Sequence, residues 1–300
     1  MPGKEPGAYM ISEIKQQPEA VRRTLSEAEW EATVAARELR GKFVYAIGSG
    51  SSYHASLVLS RAMTRIAGAK IISIQASELP GWMPAELTEA ALVAFSQSGE
   101  SADILNAVKK FREVCPGGPV ISVTNTPGST LTKISDCVIH TRAGEERAIA
   151  ATKSYTAQLA ASFLLSLGLA SLKGKETHYL EEELCRIPSK MEEAIDSSIP
   201  LVDELAPEVK ERTVGFVLGK GPNYPTALEA ALKLRETSNL HYVGYAAREF
   251  LHGPIQVIDE GTPVFFLNWI EIREVVSKVR SFGGRTIRIG EEGDIPVPNT

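Results

Sequence analysis

Two stretches of the chain can be laid over one another: FVYAIGSGSSYHASLVLSRAM (43–63) and VGFVLGKGPNYPTALEAALKL (214–234), at a constant offset of 171 residues. Gly48 then meets Gly219, Gly50 meets Gly221, Tyr53 meets Tyr224 and Leu57 meets Leu228. Each copy reads as a short apolar run, a Gly-x-Gly turn, a step to Tyr, and helical spacing beyond. A buried strand that turns sharply into a helix is the opening of a βαβ unit. Its return at a fixed spacing predicts internal duplication of an α/β unit.

Around the first copy, KIISIQAS, ALVAFSQS, PVISVTN and CVIHTRA read as strands. YHASLVLSRAMTRIAG and SADILNAVKKFREV read as helices, and a long buried helix is expected over 151–172. Strands alternating with helices predict parallel, doubly wound sheets. The expected boundaries are an N-terminal helical segment over 1–40, a first α/β domain over 41–175, a helical connection over 176–208 and a second α/β domain over 209–300. In the opening segment Pro18 is expected to break or restart the helix, with Ser26 capping the next one. In the second copy PVFFLN (263–268) stands where the first has ALVAFSQS, so the hydroxyl cluster is lost there.

A net charge of −5 and an isoelectric point near 5.7 argue against a nucleic-acid partner, which needs a basic surface. The three cysteines and five histidines are scattered, with no C-x-x-C pair, so no metal site is expected. MPGKEPGAYMISEI lacks the apolar core of a signal peptide. The longest apolar-rich run, AQLAASFLLSLGLASL (157–172), is interrupted by Gln158 and serines and is shorter than a membrane span. These features predict a cytoplasmic protein with no membrane partner.

The junction LVAFSQSGESADIL (92–105) sets Ser96, Gln97, Ser98, Gly99 and Ser101 between a strand and a helix, without a Lys or Arg among them. Backbone N–H groups converge at a helix start, where the dipole adds roughly half a positive charge. Hydroxyls supply further neutral donors, so the cluster suits a phosphate ester; a helix cap with turn serines is the plainer alternative. GSGSSYH is not a dinucleotide fingerprint, because Tyr53 occupies the third glycine position, and no nucleotide P-loop is present. Ser51 and Ser52 are expected to complete the same cavity.

On the helix through 228–238, Lys233 and Glu236 share a face, either as an ordinary ion pair or as catalytic groups. His252 precedes Gly253-Pro254, a rigid turn; it is either a surface histidine or, with a carboxylate, an acid–base pair for moving a sugar proton. Thr152 and Lys153 open the long helix. A lysine in a first turn opposes the dipole, so it serves a ligand, a carboxylate elsewhere, or only solvent.

With these residues in place, the chain resembles the SIS (sugar isomerase) superfamily, and most closely the isomerase domain of the glutamine–fructose-6-phosphate aminotransferases. The resemblance runs from YMISEIKQQPEAVRRTL to about residue 298. GSSYHA, SQSGESADIL, ATKSYTAQL, YPTALEAALKLRETS and EFLHGP fall in the family's order. It implies two tandem SIS domains, each a doubly wound parallel sheet flanked by helices, and homodimers with shared active sites. It implies that Ser51, Ser52, Ser96, Gln97, Ser98 and Ser101 hold a sugar phosphate, with Ile149 and Ala151 beside the sugar. Glu236 would be the base moving a proton between C1 and C2, Lys233 would position or polarise the sugar, and His252 of the neighbouring subunit would assist ring opening. Neither a cofactor nor a metal is implied.

The activity expected from the resemblance is aldose–ketose isomerisation with deamination: glucosamine 6-phosphate to fructose 6-phosphate and ammonia, or the reverse. Plain hexose-phosphate isomerisation, deglycation of a sugar amine, and a non-catalytic sugar-phosphate sensor or regulatory subunit are the alternatives. Three departures from the family pattern qualify it. The family's synthases begin with a glutamine-hydrolysing domain carrying an N-terminal Cys, whereas no Cys precedes Cys115, so glutamine is not the expected nitrogen source unless a separate subunit supplies ammonia. Ala151 and Val243 stand where a serine and an acidic residue are usual. The chain ends at IPVPNT, where the family continues into a helix and a basic tail whose Lys closes the site.

Overall fold

A computed structural model describes residues 7–298, which form two compact units divided between Pro188 and Ser189. The first unit holds α1 (Ala8–Glu27), α2 (Glu29–Leu39), β1 (Phe43–Gly48), α3 (Ser51–Ala62), β2 (Ile71–Gln75), α4 (Leu79–Trp82) and β3 (Ala90–Ser96). It continues with α5 (Ala102–Val114), β4 (Val120–Thr124), α6 (Thr130–Ile134), β5 (Cys137–His140) and α7 (Lys153–Leu172). The strands pair in the order β2-β1-β3-β4-β5, all parallel. The chain leaves β1 toward one edge and β3 toward the other, so the topological switch point lies between these two strands.

Alternation along the strands assigns each residue to a face. Val44, Ala46, Val93, Phe95 and Ile121 pack with residues of α2, α3 and α7. Ile47, Leu92 and Ala94 pack with Ile104, Ala107, Val108 and Phe111 of α5. Helices therefore cover both faces, and β3 is buried along its entire length, as its unbroken apolar run requires.

Two expectations for the opening helices are corrected. Pro18 does not break α1, which runs through it. The Ile14 carbonyl, which proline leaves without its helical donor, accepts the Gln17 side-chain amide at 3.1 Å. Ser26 is no cap either: it lies in the last turn of α1, donating to the Arg23 carbonyl, and α2 begins after Ala28.

The apolar run at 157–172 also differs from expectation, because it belongs to a 20-residue helix, long and apolar enough by length and composition to cross a membrane. Core helices share that property. Here the helix is buried among α1, α2 and α3, with Gly168 letting it approach Ala36 of α2. Its serines interrupt nothing: the Ser162 and Ser166 hydroxyls donate to the carbonyls of Gln158 and Ser162 one turn back.

α8 (His178–Lys210) leads into the second unit, which holds β6 (Val214–Gly219), α9 (Asn223–Ser238), β7 (His241–Ala246), β8 (Pro263–Leu267), α10 (Arg273–Ser281) and β9 (Arg285–Ile289). Its parallel sheet has the order β7-β6-β8-β9. The duplication is visible in detail. Val44 pairs with Ile71, and Gly215 with Tyr242, at the same offset. A Cβ on Gly48 would lie 2.3 Å from the Ser52 backbone, and one on Gly219 would lie 2.1 Å from the Asn223 carbonyl. Both helices thus pack directly on the strand that precedes them. Gly50 and Gly221 share positive φ angles of 54° and 56°, which glycine adopts without strain. In the β6–β8 pairing the register on β8 is displaced by one residue, with Phe265 opposite Val217 where Val93 stands opposite Ala46. Asn268 therefore follows β8 at the place where Ser96 ends β3.

Candidate functional site

At the switch point of the first sheet, α3 and α5 both begin where a strand ends. Ser51 and Ser52 open α3 after Gly50. The Ser52 hydroxyl accepts a 3.1 Å bond from the side-chain amide of Gln158, a buried residue of α7. Across the crevice, Ser96 ends β3 and is buried, its hydroxyl accepting the Gly99 N–H at 3.0 Å. The Ser98 hydroxyl accepts the Glu100 N–H at 3.2 Å. An accepting hydroxyl keeps its own proton for donation. Ser101 stands at the N-cap of α5 but makes no side-chain capping bond, which removes it from the role the plainer alternative gives it.

The turn is braced from the next strand end. Asn125 N–H donates to the Gln97 carbonyl at 3.1 Å, and so do the hydroxyls of Thr124 at 3.3 Å and Thr126 at 3.1 Å. The Gly99 carbonyl accepts Leu131 N–H at 3.0 Å. Gly99 has φ 67°, and a Cβ there would lie 2.1 Å from the Ser129 hydroxyl, so only glycine fits. The Thr130 hydroxyl and N–H hold the Glu100 carboxyl below its ordinary value. Thr124, Asn125, Thr126 and Gln158 were not among the sequence candidates; TNTPGS at the end of β4, a polar turn at a strand end like SQSGES, was a signal for the first three, and Gln158 on α7 had none.

The loop between β5 and α7 carries Ile149, which is fully exposed, and Ala151, which packs against the first core. Lys153 serves a carboxylate rather than solvent: it is buried, with Nζ 3.6 Å from Glu13 and 2.7 Å from the Gln16 side-chain oxygen. Burial pushes the Glu13 carboxyl upward, but the N–H groups of Arg147 and Ala148 and the Lys153 ammonium outweigh it and hold the group below its ordinary value.

In the second unit α9 presents a three-member cluster. Lys233 Nζ lies 2.6 Å from Glu236 and 3.4 Å from Glu229. Glu229 is buried at 5% exposure, whereas the Glu236 side chain is one-third exposed at 33%. Sequence reasoning missed Glu229, one turn before Lys233, although i, i+4 spacing was the available signal. His252 is exposed and follows a short 3-10 turn, with its N–H on the Glu249 carbonyl at 3.0 Å and Gly253 at φ 128° fixing the exit of the chain.

Tandem parallel sheets, each with a crevice between its central strands, define a two-domain α/β protein of the kind that binds small ligands at strand ends. The SIS domain model matches residues 41–167 and 210–298, and the chain belongs to the SIS domain family. It is 38% identical over 262 residues to a glutamine–fructose-6-phosphate aminotransferase (isomerizing) from Pyrobaculum aerophilum, covering 86% of this chain and 43% of that protein. It is 36% identical to one from Methanothermobacter thermautotrophicus, covering 95% of this chain and 48% of that protein. The chain thus spans about half the length of the curated relatives it matches. Among solved structures, the C-terminal domain of glucosamine-fructose-6-phosphate aminotransferase from Francisella tularensis superposes with a TM-score of 0.88 at 27% identity, covering 96% of this chain and 84% of that one. Glucosamine-6-phosphate deaminase from Thermotoga maritima gives a TM-score of 0.79 at 26% identity, covering 97% of this chain and 88% of that one.

Proposed function

We propose that the chain is a cytoplasmic sugar-phosphate isomerase that converts glucosamine 6-phosphate and water to fructose 6-phosphate and ammonia. In the reverse direction it takes ammonia, free or from a separate subunit. The observation that carries this reading is the Ser96–Ser101 turn at the first switch point, a set of hydroxyl and helix-start donors without a fixed cation. Such donors suit a phosphate monoester that must also be released. Ser51, Ser52, Ser96, Gln97, Ser98 and Ser101 hold the phosphate in a first domain over 41–175, and Ile149 and Ala151 border the sugar. A second domain over 209–300 supplies the proton chemistry, and two copies share their sites. The names of the relatives and neighbours support both the substrate class and the reaction.

In this mechanism His252, from the neighbouring copy, assists opening of the sugar ring. Glu236 removes the C2 proton of the open-chain amino aldose and returns it at C1. The electron pair passes through an enolamine, and the product is the imine of the ketose. Water then hydrolyses that imine to the ketose and ammonia. Lys233, bridged between Glu229 and Glu236, orients the base and polarises the C1 oxygen. A carboxylate suffices to shuttle the proton.

Incubating the purified chain with glucosamine 6-phosphate and assaying both products tests the proposal. Equal amounts of ammonia and fructose 6-phosphate are expected. Glu236→Gln is expected to lower turnover by at least about a hundredfold, with sugar-phosphate binding retained. Binding by the unaltered chain without either product would instead leave a sugar-phosphate sensor.

A further inference from the structure

The loop over 146–152 is staked at both ends by carboxylates. At its start, Glu13 of α1 accepts the N–H of Arg147 at 2.6 Å and of Ala148 at 3.0 Å, one on each carboxylate oxygen. At its end, Glu146 accepts the Thr152 N–H at 2.7 Å and the Thr152 hydroxyl at 2.8 Å, and also takes the Ser154 hydroxyl. Between the stakes Ala150 is buried at 3% exposure while Ile149 stands at 100%. The loop is also joined to the phosphate turn. Asn125, whose N–H holds the Gln97 carbonyl, donates its side-chain amide to the Gly144 carbonyl at 2.7 Å and accepts Ala143 N–H at 3.1 Å.

Leaving an isoleucine side chain fully exposed brings the fold no burial. Replacing a buried ion pair by apolar groups is often neutral or stabilising, so stability alone gives little reason for the pair of Glu13 and Lys153, each 4% exposed. What the pair does supply is geometry, because two charge-assisted bonds to the consecutive N–H groups of Arg147 and Ala148 fix the two peptides that lead up to Ala148, the residue before Ile149. Glu13 also lies outside the residues matched by the family model.

We propose that Glu13 is a positioning residue for the sugar: it fixes the 146–152 loop so that the backbone and side chain of Ile149 meet the sugar carbons while the serine turn holds the phosphate. This rests on the reading of the site given above. Fructose 6-phosphate and inorganic phosphate separate the two contributions, since only the former reaches past the phosphate turn.

The test combines amide exchange with titrations on the full chain. In the unaltered protein the Arg147 and Ala148 amides are expected to be protected; exchange at the rate of free loop amides would overturn the proposal. Glu13→Gln offers one acceptor where two are needed. It is expected to weaken fructose 6-phosphate binding at least about fivefold while inorganic phosphate changes by less than about twofold. Adding Lys153→Met to Glu13→Gln removes the orphaned ammonium and is expected to restore thermal stability but not sugar affinity. Recovery of both, or unchanged sugar affinity in Glu13→Gln, would show a purely structural role and overturn the proposal. Failure of the unaltered chain to bind either probe would overturn the site reading itself, together with the role of Glu13. That outcome is distinct from normal binding by all the variants.

Discussion

Pro18 shows how a single side chain changes what a sequence permits. A proline inside a helix ordinarily costs about 3 kcal/mol, from a lost hydrogen bond and a ring clash. In α1 the amide of Gln17 returns the missing donor to the Ile14 carbonyl, and Pro18 itself is buried. Gln17→Ala is therefore expected to destabilise the chain by about 1 kcal/mol, measured as a shift in the denaturant midpoint; an unchanged midpoint would remove the amide from the account. The compensation was invisible in the sequence, because the identity of Gln17 does not state its rotamer. Gly48 and Gly219 are the opposite case. Their clashes are with backbone, at 2.3 and 2.1 Å, so no neighbouring side chain can relieve them and the glycines recur at the duplicated position. The Ser96–Ser101 turn was legible for a related reason: strand, turn and helix start are adjacent in sequence. The bracing by Thr124, Thr126 and Gln158 was not, because it comes from other strand ends and from α7.

At the scale of elements, the two copies solve the same pairing with different volumes. Between β1 and β2 the partners are Val44 and Ile71; between β6 and β7 they are Gly215 and Tyr242, and the tyrosine ring occupies the space a Cβ on Gly215 would need. The bulk fits, but the phenol hydroxyl is buried without a hydrogen-bond partner among the described residues. Burial pushes the phenol up to about 12 from its ordinary 10.0. The unfolded chain releases this proton first, so the stability associated with it is whole below pH 10 and is lost as pH rises from 10 toward 12. Tyr242→Phe is expected to gain about 1 kcal/mol at neutral pH by removing an unsatisfied group, and to flatten the alkaline limb of a stability–pH profile. A variant less stable than the parent at neutral pH would mean that the hydroxyl has a partner after all. α7 makes a similar point about reading. Its serines seemed to interrupt an apolar run, yet they bond within the helix, and only the packing of α1, α2 and α3 around it decides that it is a core helix.

For the whole molecule the duplication raises the question of whether both crevices bind the same chemistry. By strand register Asn268 takes the place of Ser96, and Trp269 follows it where the first copy has Gln97. The second crevice, about 460 Å³, is lined by Asn223, Asn268, Glu271 and Glu291, and the Lys220 ammonium near it is paired with Glu271 at 3.7 Å. Glu271 and Glu291, offset by a single ammonium, disfavour an anion at this crevice, whereas the function proposed above puts one at the serine turn. The chain is therefore expected to bind one inorganic phosphate, not two, in a calorimetric titration. Replacing Ser96 and Ser98 together by alanine removes two of the hydroxyls proposed as phosphate donors and is expected to weaken that binding at least about tenfold. Asn268→Ala is expected to leave it unchanged. Two sites of comparable affinity, or loss of binding in Asn268→Ala, would show that the copies kept a common anion chemistry. One site confined to the serine turn would mean that after duplication the first copy retained the phosphate, freeing the second to carry the Glu229–Lys233–Glu236 cluster on the helix that in the first copy opens with Ser51 and Ser52.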